Sequence, residues 1–138
     1  MAQILSRKAS TKGGRDGLVK ASKSGVSLSM QKPKEMGGEE SSKTNPEELF
    51  SMGYSSCFAS SIEYLLVDQS IEYGEIYVEV DTQLVTDGDA GFKFKVDVYP
   101  TIKGLDTDKS DKIIEQAFNF CPYSKAIKDN VDITVHKN

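Results

Sequence analysis

The sequence predicts an α+β fold in which two apolar helices pack on mainly antiparallel sheets. Three observations carry that prediction. Residues 49–67 hold apolar and small side chains at helical spacing with no internal proline. Residues 75–85 and 91–99 alternate as strands do, on either side of a glycine-containing turn. A second helical stretch, entered at 107–110 and carrying Cys121, is interrupted by Pro122. The 138 residues match the size of one typical domain, with no repeat and no long linker, so a single domain over 1–138 is expected.

Taken in order, Gln3 to Ala9, Leu18 to Ala21 and Val26 to Met30 read as short strands, with glycines at 13–14, 17 and 25 between them. Residues 31–45 are polar and contain glycine, which reads as an exposed loop. Asn45-Pro46-Glu47-Glu48 is a helix start: Asn45 can cap, Pro46 suits the first helical position, and the two carboxylates favour the positive end of the helix dipole. The helix that follows places Leu49, Phe50, Gly53, Tyr54, Cys57, Phe58, Ser61, Ile62 and Leu65 on one broad face. In the first long strand Ile76, Val78 and Val80 share a face with Tyr77 opposite. In the second, Phe92, Phe94, Val96 and Val98 do the same, and Ile102 extends it past Pro100. Thr86 to Ala90 makes the hairpin turn between them. Ile113, Ile114, Ala117, Phe118 and Cys121 stand at helical spacing in the second helix. Tyr123 to Lys128 forms a short helical turn, and Val131 to Val135 a last strand.

Composition narrows the chemistry. With 38% hydrophobic and 28% charged residues the chain fits a soluble globular protein, and a net charge of −4 speaks against nucleic acid or an anionic membrane as partner. No segment approaches the ~20 apolar residues of a membrane span. The start, Met1-Ala-Gln-Ile-Leu-Ser-Arg-Lys, has no long apolar core after its charges, so a cytoplasmic location is expected. Two cysteines are too few for a disulfide-built fold or a zinc cage, and neither a metal nor a bound cofactor is expected. The one histidine, His136, lies three residues from the end and is a poor general base; Ser-His-Asp hydrolysis and histidine-held metals would both have to run through it.

The two cysteines differ in setting. Cys57 lies about three turns into the first helix, too far from its N-terminus for the dipole to activate it, so activation needs a neighbouring charge. A buried free cysteine also serves simply as a small hydrophobe. Cys121 precedes Pro122, where helical geometry is broken, and the two could pair if their Cα atoms come within ~7 Å. Only Arg7 and Arg15 among the 17 Lys and Arg are arginine, and Arg15 stands in the turn Gly13-Gly14-Arg15-Asp16-Gly17. A planar, permanently charged guanidinium there is either a functional fork or a solvated turn residue.

The segments Gly13 to Gly17, Thr44 to Phe58 and Cys121-Pro122-Tyr123-Ser124-Lys125-Ala126 together resemble the organic hydroperoxide resistance (Ohr) branch of the Ohr/OsmC family. They come in the family's order, and the resemblance spans nearly the whole chain. It implies an intertwined homodimer with active sites at the subunit interface, and thiol peroxidase activity on alkyl and lipid hydroperoxides. It implies Cys57 as peroxidatic cysteine, Cys121 as resolving cysteine, and Arg15 with Glu47 as the polar pair of the site. It also implies a Cys57–Cys121 disulfide reduced by lipoylated proteins, so a dihydrolipoyl protein or similar dithiol is the expected reductant. One departure is Phe118, three residues before Cys121, where family members often carry histidine; it reads as a difference of packing or access.

The chemistry suits these residue types. A cysteine with an ordinary pKa of ~8.5 is only a few per cent thiolate at neutral pH. A guanidinium favours the anion and can stabilise the charge that develops on a leaving alkoxide. Glu47 would orient Arg15. Ten residues separate Glu47 from Cys57, ~15 Å along a straight helix. Either the helix bends, or Arg15 bridges the gap, or Glu47 serves the cysteine of a partner subunit. Phe50, Tyr54, Phe58 and Phe120 are candidates for an apolar substrate wall, though ordinary core is the favoured reading for each. Competing readings are a non-catalytic redox sensor or binding protein of the same fold, which lacks a basic reading helix here, and a structural protein with inert cysteines.

Overall fold

The computed structural model describes residues 1–39 and 42–137. Positions 40 and 41 of the predicted loop lie outside the described residues. Contacts cluster into two units, Met1–Leu49 and Phe50–Asn138.

In the first unit β1 (Ala9–Lys12), β2 (Leu18–Ala21) and β3 (Ser27–Ser29) form an antiparallel sheet in that order. The first strand is not the one expected over 3–9. Lys12 pairs with Leu18 across the glycine turn, so the residues just before the turn form the strand. The ladder finishes where Ser22 N–H donates to Lys8 O, and Ile4 and Leu5 face no strand and are exposed. The turn needs its glycines. Gly13 and Gly14 have φ of 87° and 57°, and a Cβ on Gly17 would stand 1.8 Å from Lys12 O. Asp16 Oδ1 holds the turn from outside by accepting from Lys32 N–H at 3.1 Å. After β3, Met30 is buried and bridges to Thr44. The described part of the 31–45 segment has one short 3-10 turn, Lys34–Met36.

Helix α1 (Pro46–Asp68) begins at the end of this unit. Asn45 Oδ1 caps it by accepting from Glu48 N–H at 2.8 Å, and Thr44 Oγ1 donates to Glu48 Oε1 at 2.7 Å.

In the second unit the body of α1 turns Tyr54, Phe58, Ser61, Ile62 and Leu66 inward. Leu65 packs half-buried against the core as expected, and Leu66 beside it is fully buried. Strands β4 (Ile76–Thr86) and β5 (Phe92–Ile102) pair antiparallel along their whole length, from Ile76↔Ile102 to Thr86↔Phe92. Their predicted faces hold, with Val80, Val96 and Val98 buried and Tyr77 exposed; Phe92, at the turn end, is exposed too.

Strand β6 (Asp132–Val135) joins β5 in parallel. Val98 O accepts from His136 N–H on the β6 side, so Pro100, two residues on, turns its missing donor to the same edge beyond the last β6 pair. No ladder bond is lost there, and β5 runs through its proline. Between β5 and β6 stand α2 (Thr107–Phe120), capped by Asp106, and α3 (Pro122–Ile127). Ile113, Ile114 and Ala117 of α2 close the core against α1 and the sheet.

Candidate functional site

The glycine turn presents Arg15, and the first turn of α1 presents Glu47. Their side chains form a two-pronged ion pair: Arg15 Nη1 donates to Glu47 Oε2 at 2.8 Å, and Nη2 donates to Oε1. The side chains are 31% and 14% exposed, so the pair is shielded from solvent on most sides. The hydrogen bonds from Arg15 hold the Glu47 carboxyl below the usual carboxylate range, against the opposing effect of burial. The same bonds raise the guanidinium's already high pKa. Both groups are therefore ionised at neutral pH. Arg15 has a designated partner and is not a solvated turn residue.

The sequence places Cys57 and Cys121 64 residues apart, and the structure makes them neighbours. Both are free thiols, Cys57 partly exposed and Cys121 fully buried. Burial pushes the Cys57 thiol up, and the neighbouring Cys121 thiol adds to that, while the backbone of Tyr123 opposes both. Cys121 is at once the last cap of α2 and the N-cap of α3, with extended backbone (φ −62°, ψ 125°) and Pro122 in the first position of the next helix. The break expected at Pro122 is thus a helix-to-helix corner. It brings Cys121 into the core with Tyr54 and Phe58 of α1 and leaves the Tyr123 N–H, in the first turn of α3, without an intrahelical acceptor.

Two residues of this region were not singled out from sequence for polar roles. Tyr54 Oη and Ser124 Oγ are 2.7 Å apart, and both residues are completely buried. The available signal was spacing: Tyr54 precedes Cys57 by three residues, and Ser124 follows Cys121 by three. The Tyr123 ring stacks on Tyr54 (5.9 Å, 14°) and its hydroxyl lies against Gly53, where a Cβ would come within 2.5 Å of it. Gly53 is the gap through which α3 approaches α1.

Of the four aromatic candidates for a substrate wall, Tyr54 and Phe58 are core, with no exposed surface. Phe50 is partly buried against Phe94 (5.1 Å between ring centroids), and Phe120 is exposed, stacked on Tyr64 at 4.9 Å. Phe118 packs against the core with Lys128 Nζ 6.0 Å from its ring centroid. His136 stacks on Tyr99 and shares a 2.8 Å hydrogen bond with Asp97. Among the described residues no group of His, Cys, Asp and Glu could hold a metal, and no helix is long and apolar enough to cross a membrane.

Residues 37–136 match the family model described as OsmC-like protein. An organic hydroperoxide resistance protein-like 2 of Staphylococcus epidermidis is 41% identical over 122 residues, covering 88% of this chain and 86% of its own. The organic hydroperoxide resistance protein OhrB of Bacillus subtilis is 34% identical, covering 94% and 95%. The crystal structure of an organic hydroperoxide resistance protein OsmC from Legionella pneumophila superposes with a TM-score of 0.92 at 33% identity, over 97% of each chain. The motifs, the two sheets with their three helices, and these likenesses agree that the chain belongs to the Ohr/OsmC family.

Proposed function

We propose that this chain is a cysteine-based peroxidase that reduces organic hydroperoxides to alcohols. The observation that carries the reading is the contact between the two thiols, Cys57 on a helix and Cys121 at a helix corner, in a chain whose relatives are named for organic hydroperoxide resistance.

In this reading the Cys57 thiolate attacks the outer peroxide oxygen. The O–O bond breaks, an alkoxide leaves and is protonated to the alcohol, and Cys57 becomes a sulfenic acid. Cys121 then attacks the Cys57 sulfur, forming the disulfide and releasing water. A dihydrolipoyl protein or another dithiol reduces that disulfide, as the family resemblance implies. Because the local environment raises the Cys57 pKa, a cation has to favour the thiolate. Arg15, held by Glu47, is the residue assigned to that task and to the charge on the leaving alkoxide. The active unit is a homodimer of single-domain chains, and a reducing cytoplasm suits a disulfide that forms only in turnover.

The test is consumption of cumene or tert-butyl hydroperoxide, with dihydrolipoamide and thioredoxin supplied in separate reactions. Wild type turns over with dihydrolipoamide, and Cys57→Ser is inactive. A Cys57→Ser protein that consumes peroxide at the wild-type rate refutes the reading.

A further inference from the structure

The Tyr54–Ser124 hydrogen bond joins the two elements that carry the cysteines, and it does so with symmetrical spacing. Tyr54 stands one helical turn before Cys57 on α1. Ser124 stands one turn after Cys121, in the first turn of α3. The two oxygens are 2.7 Å apart in a site with no solvent exposure, so no water can replace either partner.

Both ends are held. Phe58 and Phe50 meet the Tyr54 ring edge-on at 6.1 and 6.0 Å, and Tyr123 stacks on it at 5.9 Å, so the hydroxyl has one position. Pro122 fixes φ at the start of α3, so Cys121 and Ser124 move together. Whatever holds Ser124 to α1 therefore also sets where the Cys121 sulfur lies relative to Cys57.

We propose that Tyr54 and Ser124 are positioning residues for disulfide formation: their hydrogen bond clamps the α3 corner to α1 and holds the Cys121 sulfur in line with Cys57. This rests on the peroxidase reading given above. It matters because the Cys57 sulfenic acid has two fates. In one, the Cys121 sulfur attacks Cys57, the S–S bond forms, the S–O bond breaks, and the departing hydroxide takes the Cys121 thiol proton to become water. In the other, a second hydroperoxide oxidises the sulfenic acid to sulfinic acid and is itself reduced to the alcohol. Only the first depends on the spacing of the two sulfurs, and small misplacements of reacting groups cost large factors in rate. Cys121 and Tyr123, the two neighbours that act on the Cys57 thiol in opposite directions, both belong to the corner that the clamp holds.

The experiment uses the full-length chain as wild type, Tyr54→Phe, and the double variant Tyr54→Phe/Ser124→Ala. Each is reduced, then exposed to increasing cumene hydroperoxide without reductant, and the Cys57 products are counted by mass spectrometry. The readout is the ratio of Cys57–Cys121 disulfide to Cys57 sulfinic acid. That ratio cancels any loss of competent protein, which a purely structural defect would produce. Tyr54→Phe keeps the ring and its packing, and the double variant leaves no buried hydroxyl without a partner. The expected result is a ratio lowered about tenfold or more in both variants. A wild-type ratio in both overturns the clamp while leaving the peroxidase reading intact. If wild type itself forms neither product at Cys57, it is the peroxidase reading that fails.

Discussion

Glu47→Gln removes one charge from the Arg15–Glu47 pair and little else, and its cost can be bounded from the pair's setting. An exposed ion pair contributes at most ~1 kcal/mol, whereas removing one partner of a fully buried pair costs ~3–5 kcal/mol. Here the carboxylate is 14% and the guanidinium 31% exposed, with two parallel hydrogen bonds. The substituted amide keeps one oxygen acceptor but sets an N–H₂ donor against the other arm of the fork. A loss of about 1–2 kcal/mol follows, intermediate between the two limits. For a chain of this length that lowers the melting midpoint at pH 7 by roughly 4–8 °C.

The pH dependence has a definite sign. The folded Glu47 pKa lies below its ordinary value of 4.5, so the stabilisation is complete above that value and is lost as pH falls through the folded pKa. The amide of the variant does not titrate. Thermal melts of the two proteins should therefore differ most at pH 6–8 and converge as pH drops below about 4. A gap of the same size at pH 7 and pH 3, or no gap at pH 7, would show that the charge of Glu47 contributes nothing and that the pair is only a contact of shape.

Arg15→Ala should move the pH midpoint of Cys57 alkylation upward, measured in a Cys121→Ser background so that one thiol reports; an unchanged profile removes Arg15 from activation of the thiol. Asp106→Ala deletes the α2 cap, whose carboxylate accepts from Lys109 N–H at 2.9 Å, and should cost about 1 kcal/mol in urea unfolding with an unchanged slope. Ile62→Ala empties a fully buried position between α1 and the sheet and should cost about 2–5 kcal/mol; a loss below 1 kcal/mol would mean that the site collapses around the deletion.

Elements whose signal is local were legible in the sequence. The start of α1 was readable because Asn45, Pro46 and the two glutamates satisfy the free N–H groups of one turn, a requirement contained within four residues. The β4–β5 hairpin was readable because alternation and turn fall in one continuous stretch. The first strand was misplaced because its position is set by pairing across the glycine turn, and Ile4 and Leu5 drew attention to residues with nothing opposite them. Of the site, motif matching marked four residues, and the structure brought them together as two pairs, Arg15 with Glu47 and Cys57 with Cys121. The Tyr54–Ser124 bond was not readable, since both residues are ordinary helix members whose hydroxyls meet only after α3 has folded back through the gap at Gly53.

Burial places two opposed demands on the cysteine pair. In the peroxidase reading, a Cys57 sulfenic acid survives long enough to be captured only where bulk solvent and further oxidant are restricted; Cys57 is partly buried and Cys121 fully so. The same burial disfavours the Cys57 thiolate on which that reading depends, and the neighbouring Cys121 thiol works in the same direction. The backbone of Tyr123, in the first turn of α3, offsets part of this. In the peroxidase reading the remainder calls for a fixed positive charge that does not titrate, a task for which histidine is unsuited by type and lysine by its readiness to lose its proton when buried. A guanidinium meets the requirement only if its orientation is held, since a freely turning arginine would spend most of its time in water. The carboxylate of Glu47 holds Arg15 while staying ionised itself, so the proposed role predicts that lysine at position 15 fails to replace arginine even though it preserves the charge.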